Sequence, residues 1–230
     1  MKGFILAAGF GTRLKTITKS LPKPLVPVGN TPLICYSIQL LAHHGIDDII
    51  INTQHFSDKL IKAIGNGEKY GVKITYSVED EILGTGGGLK KMEELLANDT
   101  FVVINSDTIL NVDLKNMIEY HHRQKAIATM MLRTDPGQIN YGQIEVDKKG
   151  YIKKILGVSC DIDSNSNSNS NSEDNSSEQS LKPYMFGGVH IIEPRLLEYI
   201  PPDVETCIIR YGYNKALPNN EPIAGYIYHA

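Results

Sequence analysis

Apolar, β-branched segments alternate with amphipathic segments over the first 130 residues, and this alternation constrains the fold more than any other feature. Period-two or continuous apolar runs predict strands at Gly3–Ala8, Asp48–Thr53, Val72–Val78, Phe101–Asn105 and Ile127–Leu132. Helical periodicity with capping signals predicts helices at Pro32–His44, Ser57–Ile64, Gly87–Leu96 and from the cap Asp113 to Gln124. Such alternation predicts a mostly parallel, mixed central sheet between two helical layers, a three-layer α/β/α fold.

The first of these helices carries the clearest boundary signals. Thr31 is predicted as its N-cap, Pro32 as its first helical residue and Gly45 as its stop. These signals predict a helix that begins at Pro32.

The second half of the chain has a different pattern. Gln143–Val146 and Ile152–Leu156 are predicted to form a hairpin, and Met185–Ile192 a further strand. Residues 159–180 include "SNSNSNSNS" and almost no apolar side chains, which predicts a disordered insertion in a loop. Because the strands on either side look like one sheet, we expect residues 1–230 to form a single domain.

Composition excludes several classes of protein. The net charge of −3 and the lack of a long basic run argue against a protein that grips nucleic acid through its phosphates. No apolar stretch has the length of a membrane span, so no membrane partner is expected. Cys35, Cys160 and Cys207 are odd in number and widely spaced, which predicts a reduced, cytoplasmic protein without a disulfide framework or zinc site.

The segment "LAAGFGTR" after the first strand has the layout of a phosphate-binding loop. Gly9 and Gly11 allow a tight turn whose backbone N–H groups can face an anion. The segment is not a Walker loop, and the dinucleotide fingerprint would need glycine where Leu14 stands. The glycines alone are equally compatible with a plain strand-to-loop turn. Arg13 and Lys23 favour the phosphate-binding interpretation, because both are cations and Lys23 is held between two prolines.

Three motifs together resemble the sugar-1-phosphate nucleotidyltransferases. They are "LAAGFGTRL…LPKPLVPVG", "LGTGGGLKK" and "VVINSDTIL", and Thr16 stands where many members carry proline. The resemblance implies a Rossmann-like nucleotidyltransferase fold and transfer of a nucleotidyl group from a nucleoside triphosphate to a sugar 1-phosphate, with Mg²⁺ as cofactor and pyrophosphate as product. It also implies a possible homo-oligomer.

The resemblance further implies a role for individual residues. The catalytic residues would be Arg13, Lys23 and Asp107, and Asp107 would also bind the metal; a turn or N-cap role is its structural alternative. The sugar would lie against Asn105, Tyr141 and Gly142. The nucleotide would be held by Leu6, Ala8, Gly9, Gly11, Thr12, Arg13, Glu79, Gly84, Thr85 and Gly86.

The substrates are less strongly indicated. A carboxylate at Glu79 could accept two hydrogen bonds from guanine, which favours GTP. The strand "YMFGGVHII" is similar to members that act on mannose 1-phosphate or N-acetylmuramate 1-phosphate. The alternatives are a uridylyltransferase for N-acetylmuramate 1-phosphate and a non-catalytic subunit that senses nucleotide sugars. The adjacent pairs His43–His44 and His121–His122 are interpreted as surface or packing residues, because neighbours on a helix point apart.

The final segment "EPIAGYIYHA" resembles the part of the family that leads into W-x-D-I-G-T-P. In the family the aspartate of that motif is the second carboxylate on the metal. We therefore expect the chain to be C-terminally truncated relative to the family.

Overall fold

The computed structural model describes residues 1–9, 11, 18, 20–134, 144–155, 158–159 and 182–229. Its strands are β1 Lys2–Leu6, β2 Pro27–Val28, β3 Thr31–Pro32, β4 Asp48–Thr53, β5 Lys73–Val78, β6 Phe101–Asn105, β7 Ala128–Arg133, β8 Ile144–Val146, β9 Ile152–Ile155, β10 Val158–Ser159, β11 Lys182–Ile192 and β12 Ile223–Ile227. Its α-helices are α1 Leu33–His43, α2 Ser57–Ile64, α3 Gly84–Lys91, α4 Glu93–Leu96, α5 Leu114–Gln124 and α6 Asn214–Ala216. Short 3₁₀ segments lie at Lys23–Leu25, Glu68–Tyr70, Pro194–Tyr199 and Leu217–Asn219, and a π-helical segment at Ile208–Tyr213. No helix in the described ranges combines the length and the hydropathy that crossing a membrane requires.

The central sheet has the order β5-β4-β1-β6-β11-β7-β12, and β11 is the one strand of this set that runs against the others. The chain moves from β1 outwards to β4 and β5, then returns to place β6 on the other side of β1. In open α/β sheets a ligand crevice forms where the strand order reverses in this way, at the carboxyl ends of the strands. The crevice is therefore expected between the ends of β1 and β6.

Strand β11 joins the central sheet to a smaller antiparallel sheet. Its first residues pair with β8, and its last residues pair with β6 and β7. The register with β7 shifts between Phe186 and His190, where Gly188 has a φ of +97°. This irregularity lets one strand serve both sheets, since a bulge bends the strand that carries it.

The core lies on both faces of the central sheet. One buried apolar cluster includes Ile34, Ile38 and Leu60 of α1 and α2, and the other includes Leu89, Leu96 and Leu196. The two clusters confirm the predicted three-layer α/β/α architecture. Burial of the helix faces is the main source of stability for such short helices, which are marginal alone.

Several predicted boundaries agree with the structure and two helix starts do not. β4 and β6 match their predicted bounds, as does α5, where the Asp113 side chain accepts a hydrogen bond from the N–H of Asn116. Helix α1 begins at Leu33 rather than Pro32, because Thr31 and Pro32 form the short strand β3. The predicted insertion at 159–180 lies outside the described residues, except that Ser159 pairs with β9.

Helix α3 begins at Gly84, three residues before the predicted start, and the helical run is broken at Met92. Glycines disfavour a helix in isolation. Here hydrogen bonds of Leu83 and Gly86 with the backbone of Thr206 hold them in the first turn.

Candidate functional site

A cleft of about 390 Å³ opens at the carboxyl ends of β1 and β6, the position that the strand order predicts. Backbone and small side chains form most of its wall, and one cation and one carboxylate face each other across it. The lining residues are Leu6, Ala7, Ala8, Gly9, Gly11, Lys23, Pro24, Asn52, Ile82, Gly84, Thr85, Asn105, Ser106 and Asp107.

The opening loop forms one wall of this cleft. Gly11 has a φ of +61°, and a Cβ there would lie 2.9 Å from Cβ of Lys23. A side chain at position 11 would therefore be strained in its backbone and crowded against the lysine stem. Thr12 and Arg13, both predicted at the site, lie outside the described residues.

Lys23 is held by a compact 3₁₀ turn. The N–H of Leu25 donates to the carbonyl of Pro22 at 2.9 Å, and Pro24 and Leu25 are buried beneath the turn. Because the turn and its prolines restrict the backbone, the lysine stem leaves the turn in a set direction. Its ammonium group enters the cleft.

The ammonium of Lys23 makes an ion pair with the carboxylate of Asp107. Each side chain is about one third exposed, at 29% and 36%. Partly exposed pairs contribute little to stability, about 0–1 kcal/mol, so an anion or a cation that enters the cleft can take either partner. The pair therefore joins two of the three predicted catalytic residues without holding them irreversibly.

Asp107 lies two residues beyond the end of β6, and a backbone contact fixes its loop. The N–H of Ser106 donates to the carbonyl of Leu6 at 3.2 Å, which ties the end of β6 to the end of β1. Asn105 lines this cleft and also the cavity beside it.

Leu83 and the first turn of α3, Gly84 to Gly86, which we call the glycine loop, form the opposite wall. Gly84 and Thr85 line the cleft, whereas Gly86 is buried and its N–H donates to the carbonyl of Thr206 at 2.8 Å. The N–H of Thr206 donates to the carbonyl of Leu83 at 2.8 Å, and the N–H of Ile208 donates to Oγ1 of Thr85 at 3.0 Å. Sequence reasoning missed Thr206, because no local signal connects it with a loop more than a hundred residues earlier.

Glu79 is not among the residues that line the cleft. Its side chain is 2% exposed, and both carboxylate oxygens accept hydrogen bonds from protein N–H groups. Because both of its oxygens already accept hydrogen bonds within the protein, this geometry does not favour the predicted pairing of the Glu79 carboxylate with guanine. Asn52, which sequence reasoning did not select, lines the cleft in its place.

A second cavity of about 870 Å³ adjoins the cleft through Asn105. It is formed mainly by the residues after Asp107 and by the irregular part of β11, and it contains both apolar and hydrogen-bonding side chains. Tyr141 and Gly142, predicted to contact a sugar, lie outside the described residues. The cavity is lined by Asn105, Thr108, Ile109, Leu110, Asn111, Met131, Arg133, Thr134, Met185, Phe186, Gly187, Gly188, Tyr228 and His229.

A cluster of possible metal ligands lies away from the cleft. Ligand atoms of His121, His122 and Glu193 lie within 4.8 Å of one another. Both ring nitrogens of His121 already have oxygen partners, Thr129 Oγ1 at 2.8 Å and Glu193 Oε1 at 3.0 Å. Burial lowers the pKa of His121, so this cluster is satisfied as a neutral hydrogen-bonded histidine without a cation.

Comparisons with known proteins agree on the family. Residues 2–156 match the nucleotidyl transferase family. A UTP–glucose-1-phosphate uridylyltransferase of Synechocystis is 34% identical over 214 residues, which cover 87% of this chain and 51% of the relative. Mannose-1-phosphate guanyltransferases of Yarrowia lipolytica and Pichia angusta are each 42% identical over 66% and 64% of this chain, and over 43% and 42% of their own length. The chain thus spans about half the length of these relatives, or less.

Solved structures show the same fold. A Bacillus anthracis protein, assigned as a glucose-1-phosphate thymidylyltransferase and crystallised with sucrose, matches with a TM-score of 0.77 and 25% identity. The match covers 100% of this chain and 87% of that protein. HddC from Yersinia pseudotuberculosis, complexed with GMP-PN, matches with a TM-score of 0.74 and 22% identity over 99% of this chain and 90% of its own. The motifs, the fold and the match over residues 2–156 place this chain in the nucleotidyl transferase family.

Proposed function

We propose that the chain transfers a nucleotidyl group from a nucleoside triphosphate to a sugar 1-phosphate, with GTP and mannose 1-phosphate as the first substrates to test. The observation that carries the proposal is the meeting of Lys23 and Asp107 between the opening loop and the glycine loop. Eighty-four positions separate the two residues, and the fold brings them to one crevice at the switch point of the sheet.

In the proposed reaction an oxygen of the sugar 1-phosphate attacks the α-phosphorus, and the bond to the bridging oxygen of pyrophosphate breaks. Negative charge builds on the attacking phosphate and on the leaving group, so fixed cations and backbone N–H groups lower the barrier. Lys23 would leave Asp107 and neutralise phosphate oxygens. The opening loop, with Arg13, would hold the β- and γ-phosphates of the leaving group.

The cleft offers a suitable ligand for Mg²⁺. Asp107 supplies hard carboxylate oxygens at the crevice, and it is the one acidic residue that lines the cleft in the described part of the chain. Mg²⁺ bound there would add positive charge next to the phosphates of the substrate. Its remaining positions would be filled by phosphate oxygens and water, which is how Mg²⁺ is commonly held in proteins.

The glycine loop and Asn52 form the part of the cleft that suits a base. Helix α3 begins at Gly84, so the N–H groups of Gly84 and Thr85, which line the cleft, have no partner within the helix and can read the edge of a base. The adjoining cavity would take the sugar, since it begins at Asn105 and offers both apolar and hydrogen-bonding side chains. The proposed order of base, phosphates and sugar would run across the strand ends from Asn52 of β4, past Leu6 of β1, to Asn105 of β6.

Uridylyl transfer is a second candidate, favoured by two observations. Glu79 is buried and engaged, so the argument from sequence for guanine loses its geometric basis. The uridylyltransferase relative also aligns over a larger share of this chain than the two guanyltransferases do.

A substrate panel tests the proposal. Purified protein would be incubated with Mg²⁺, one of GTP, UTP, dTTP, CTP or ATP, and one of several sugar 1-phosphates, and pyrophosphate release would be measured. We expect release that requires both substrates, with one base clearly preferred. Lys23→Ala is the control for contaminating activity. A wild-type protein that neither binds a triphosphate nor releases pyrophosphate with any pair would contradict the proposal. The cytoplasmic location and a homo-oligomeric state stay predictions.

A further inference from the structure

Two buried polar side chains connect the loops on either side of the cleft. The N–H of Ala7 donates to Oδ1 of Asn52 at 2.8 Å, and Nδ2 of Asn52 donates to Oε1 of Glu79 at 2.8 Å. The other oxygen of Glu79, Oε2, accepts from the N–H of Leu83 at 2.9 Å. We call these four residues the loop relay. The relay starts in the opening loop after β1 and ends at the residue before α3.

The relay is buried and closely packed. Asn52 is 1% exposed and Glu79 is 2% exposed. A Cβ at Gly88 would lie 2.7 Å from Nδ2 of Asn52 and 2.9 Å from Oε1 of Glu79. Helix α3 can therefore lie against the relay only because position 88 has no side chain. In such a place every lost partner leaves an unpaired polar group away from water, which is costly.

The direction of the hydrogen bonds is set by chemistry. The backbone N–H groups of Ala7 and Leu83 can only donate, so Oδ1 of Asn52 and Oε2 of Glu79 must accept. This requirement turns the amide of Asn52 so that its NH₂ faces Glu79 and its oxygen faces the N–H of Ala7. The N–H of Ala7 and the carboxylate of Glu79 together determine the orientation of an amide that lines the cleft.

The ends of the relay are the groups that would hold a nucleotide. Ala7 is followed by Ala8 and Gly9, and Leu83 is followed by Gly84 and Thr85, and all of these except Leu83 line the cleft. The far side of the glycine loop is held separately by Thr206. With Thr206 in place, breaking the relay would loosen one side of the loop while the helix behind it remains packed.

We propose that Asn52 and Glu79 are positioning residues that hold the opening loop and the glycine loop at a fixed separation, and so set the affinity for the nucleotide. The inference rests on the proposed function, because it assumes that the nucleotide lies between these loops. Neither residue supplies a positive charge that would stabilise the phosphates during the reaction. Their loss is therefore expected to weaken nucleotide binding far more than it slows the chemical step.

Single and double substitutions separate the two residues. In Glu79→Gln the amide can accept from one neighbour but presents an NH₂ to the other donor, so one link of the relay breaks. In Asn52→Asp two carboxylates face each other, so the central link breaks. In the double variant N52D/E79Q the NH₂ of the glutamine can donate to the aspartate, while its oxygen accepts from Leu83. The double variant therefore restores every link with the central donor reversed.

The experiment measures KM for GTP, kcat, the dissociation constant for GTP with Mg²⁺ and the melting temperature. We expect each single variant to raise KM and the dissociation constant about tenfold, the equivalent of one lost buried hydrogen bond, with kcat within about twofold. The double variant should return to within about threefold of wild type. Ser77→Ala is the matched control, since Ser77 pairs in register with Asn52, is 3% exposed and has an unpartnered Oγ in the described structure.

Each outcome decides the inference. Three results would overturn it. The first is wild-type GTP affinity in the single variants, and the second is a loss of affinity in Ser77→Ala as large as theirs. The third is a folded double variant that binds GTP as weakly as the single variants do. If a single variant fails to fold, the double variant alone decides: folding with near wild-type affinity supports the relay. Should wild type bind GTP but transfer nothing, the dissociation constants still test the relay while the proposed reaction fails.

Discussion

Substituting Gly84 by alanine perturbs the glycine loop at its most crowded point. Gly84 has a φ of +71°, and a Cβ there would lie 2.4 Å from the carbonyl oxygen of Thr206 and 3.1 Å from its carbonyl carbon. Those atoms belong to the backbone, and the neighbouring contact from Thr206 N–H to Leu83 holds them in place. The clash cannot be relieved by a rotamer change and must move the loop or the segment 204–208.

The magnitude follows from two separable effects. A left-handed backbone costs an L-residue about 1–2 kcal/mol. Forcing extra volume into a packed site costs about 1–3 kcal/mol more. Gly84→Ala should therefore lower the free energy of unfolding by about 2–5 kcal/mol. For a domain of this size the melting temperature would fall by about 4–20 °C.

Gly45 provides a matched control within the same chain. It has a φ of +74°, and a Cβ there would meet nothing within 4 Å. Gly45→Ala therefore carries the backbone strain without the clash, and should cost about 1–2 kcal/mol. Urea unfolding and differential scanning fluorimetry of the two variants would isolate the clash as their difference. GTP binding should weaken in Gly84→Ala and stay at the wild-type value in Gly45→Ala.

Equal destabilisation of the two variants would refute the reasoning, because it would mean that the loop gives way to a methyl group at no cost. Wild-type nucleotide affinity in a destabilised Gly84→Ala variant would instead refute the assignment of the glycine loop to the nucleotide site. In that case the glycine loop is packed as described but does not form part of the nucleotide site.

Three further predictions test other parts of the chain. Lys23→Ala should lower kcat/KM by about 100-fold or more in the pyrophosphate-release assay. Its melting temperature should stay near that of wild type, because the ion pair between Lys23 and Asp107 is partly exposed. Wild-type turnover would exclude the lysine from the mechanism. Asp113→Ala removes the N-cap of α5 and should cost about 1 kcal/mol in urea unfolding, whereas an unchanged midpoint would show that the cap is replaceable. Burial lowers the pKa of His190 to about 3, so below about pH 6.5 the imidazole takes up a proton in the unfolded chain but not in the native chain. The free energy of unfolding should therefore decrease as the pH is lowered, by up to about 1.4 kcal/mol per pH unit. The slope between pH 7 and pH 4 should be smaller in His190→Gln, and equal slopes would contradict the assignment to His190.

The sequence by itself determined most strands of the first 130 residues and their arrangement between helical layers. Strand and helix periods are local properties, so β4, β6 and α5 could be located from side-chain patterns. The opening motif and "VVINSDTIL" each contain the end of a buried strand, and parallel strands end at one edge of the sheet. That rule predicts that both motifs lie at one edge of the sheet, where the structure pairs Lys23 with Asp107, and the catalytic roles of the two residues stay predictions.

Only the tertiary structure decided how the walls of the cleft are held. Helix α3 takes in glycines that disfavour a helix, because the backbone of Thr206 and the carboxylate of Glu79 occupy the hydrogen-bonding groups at its start. Glu79 is a buried hydrogen-bond acceptor rather than an exposed one. Asn52 lines the cleft although it belongs to none of the sequence motifs. Each of these contacts joins residues from separate elements. Which buried donor meets which acceptor depends on how the elements pack, and no local period in the chain records it.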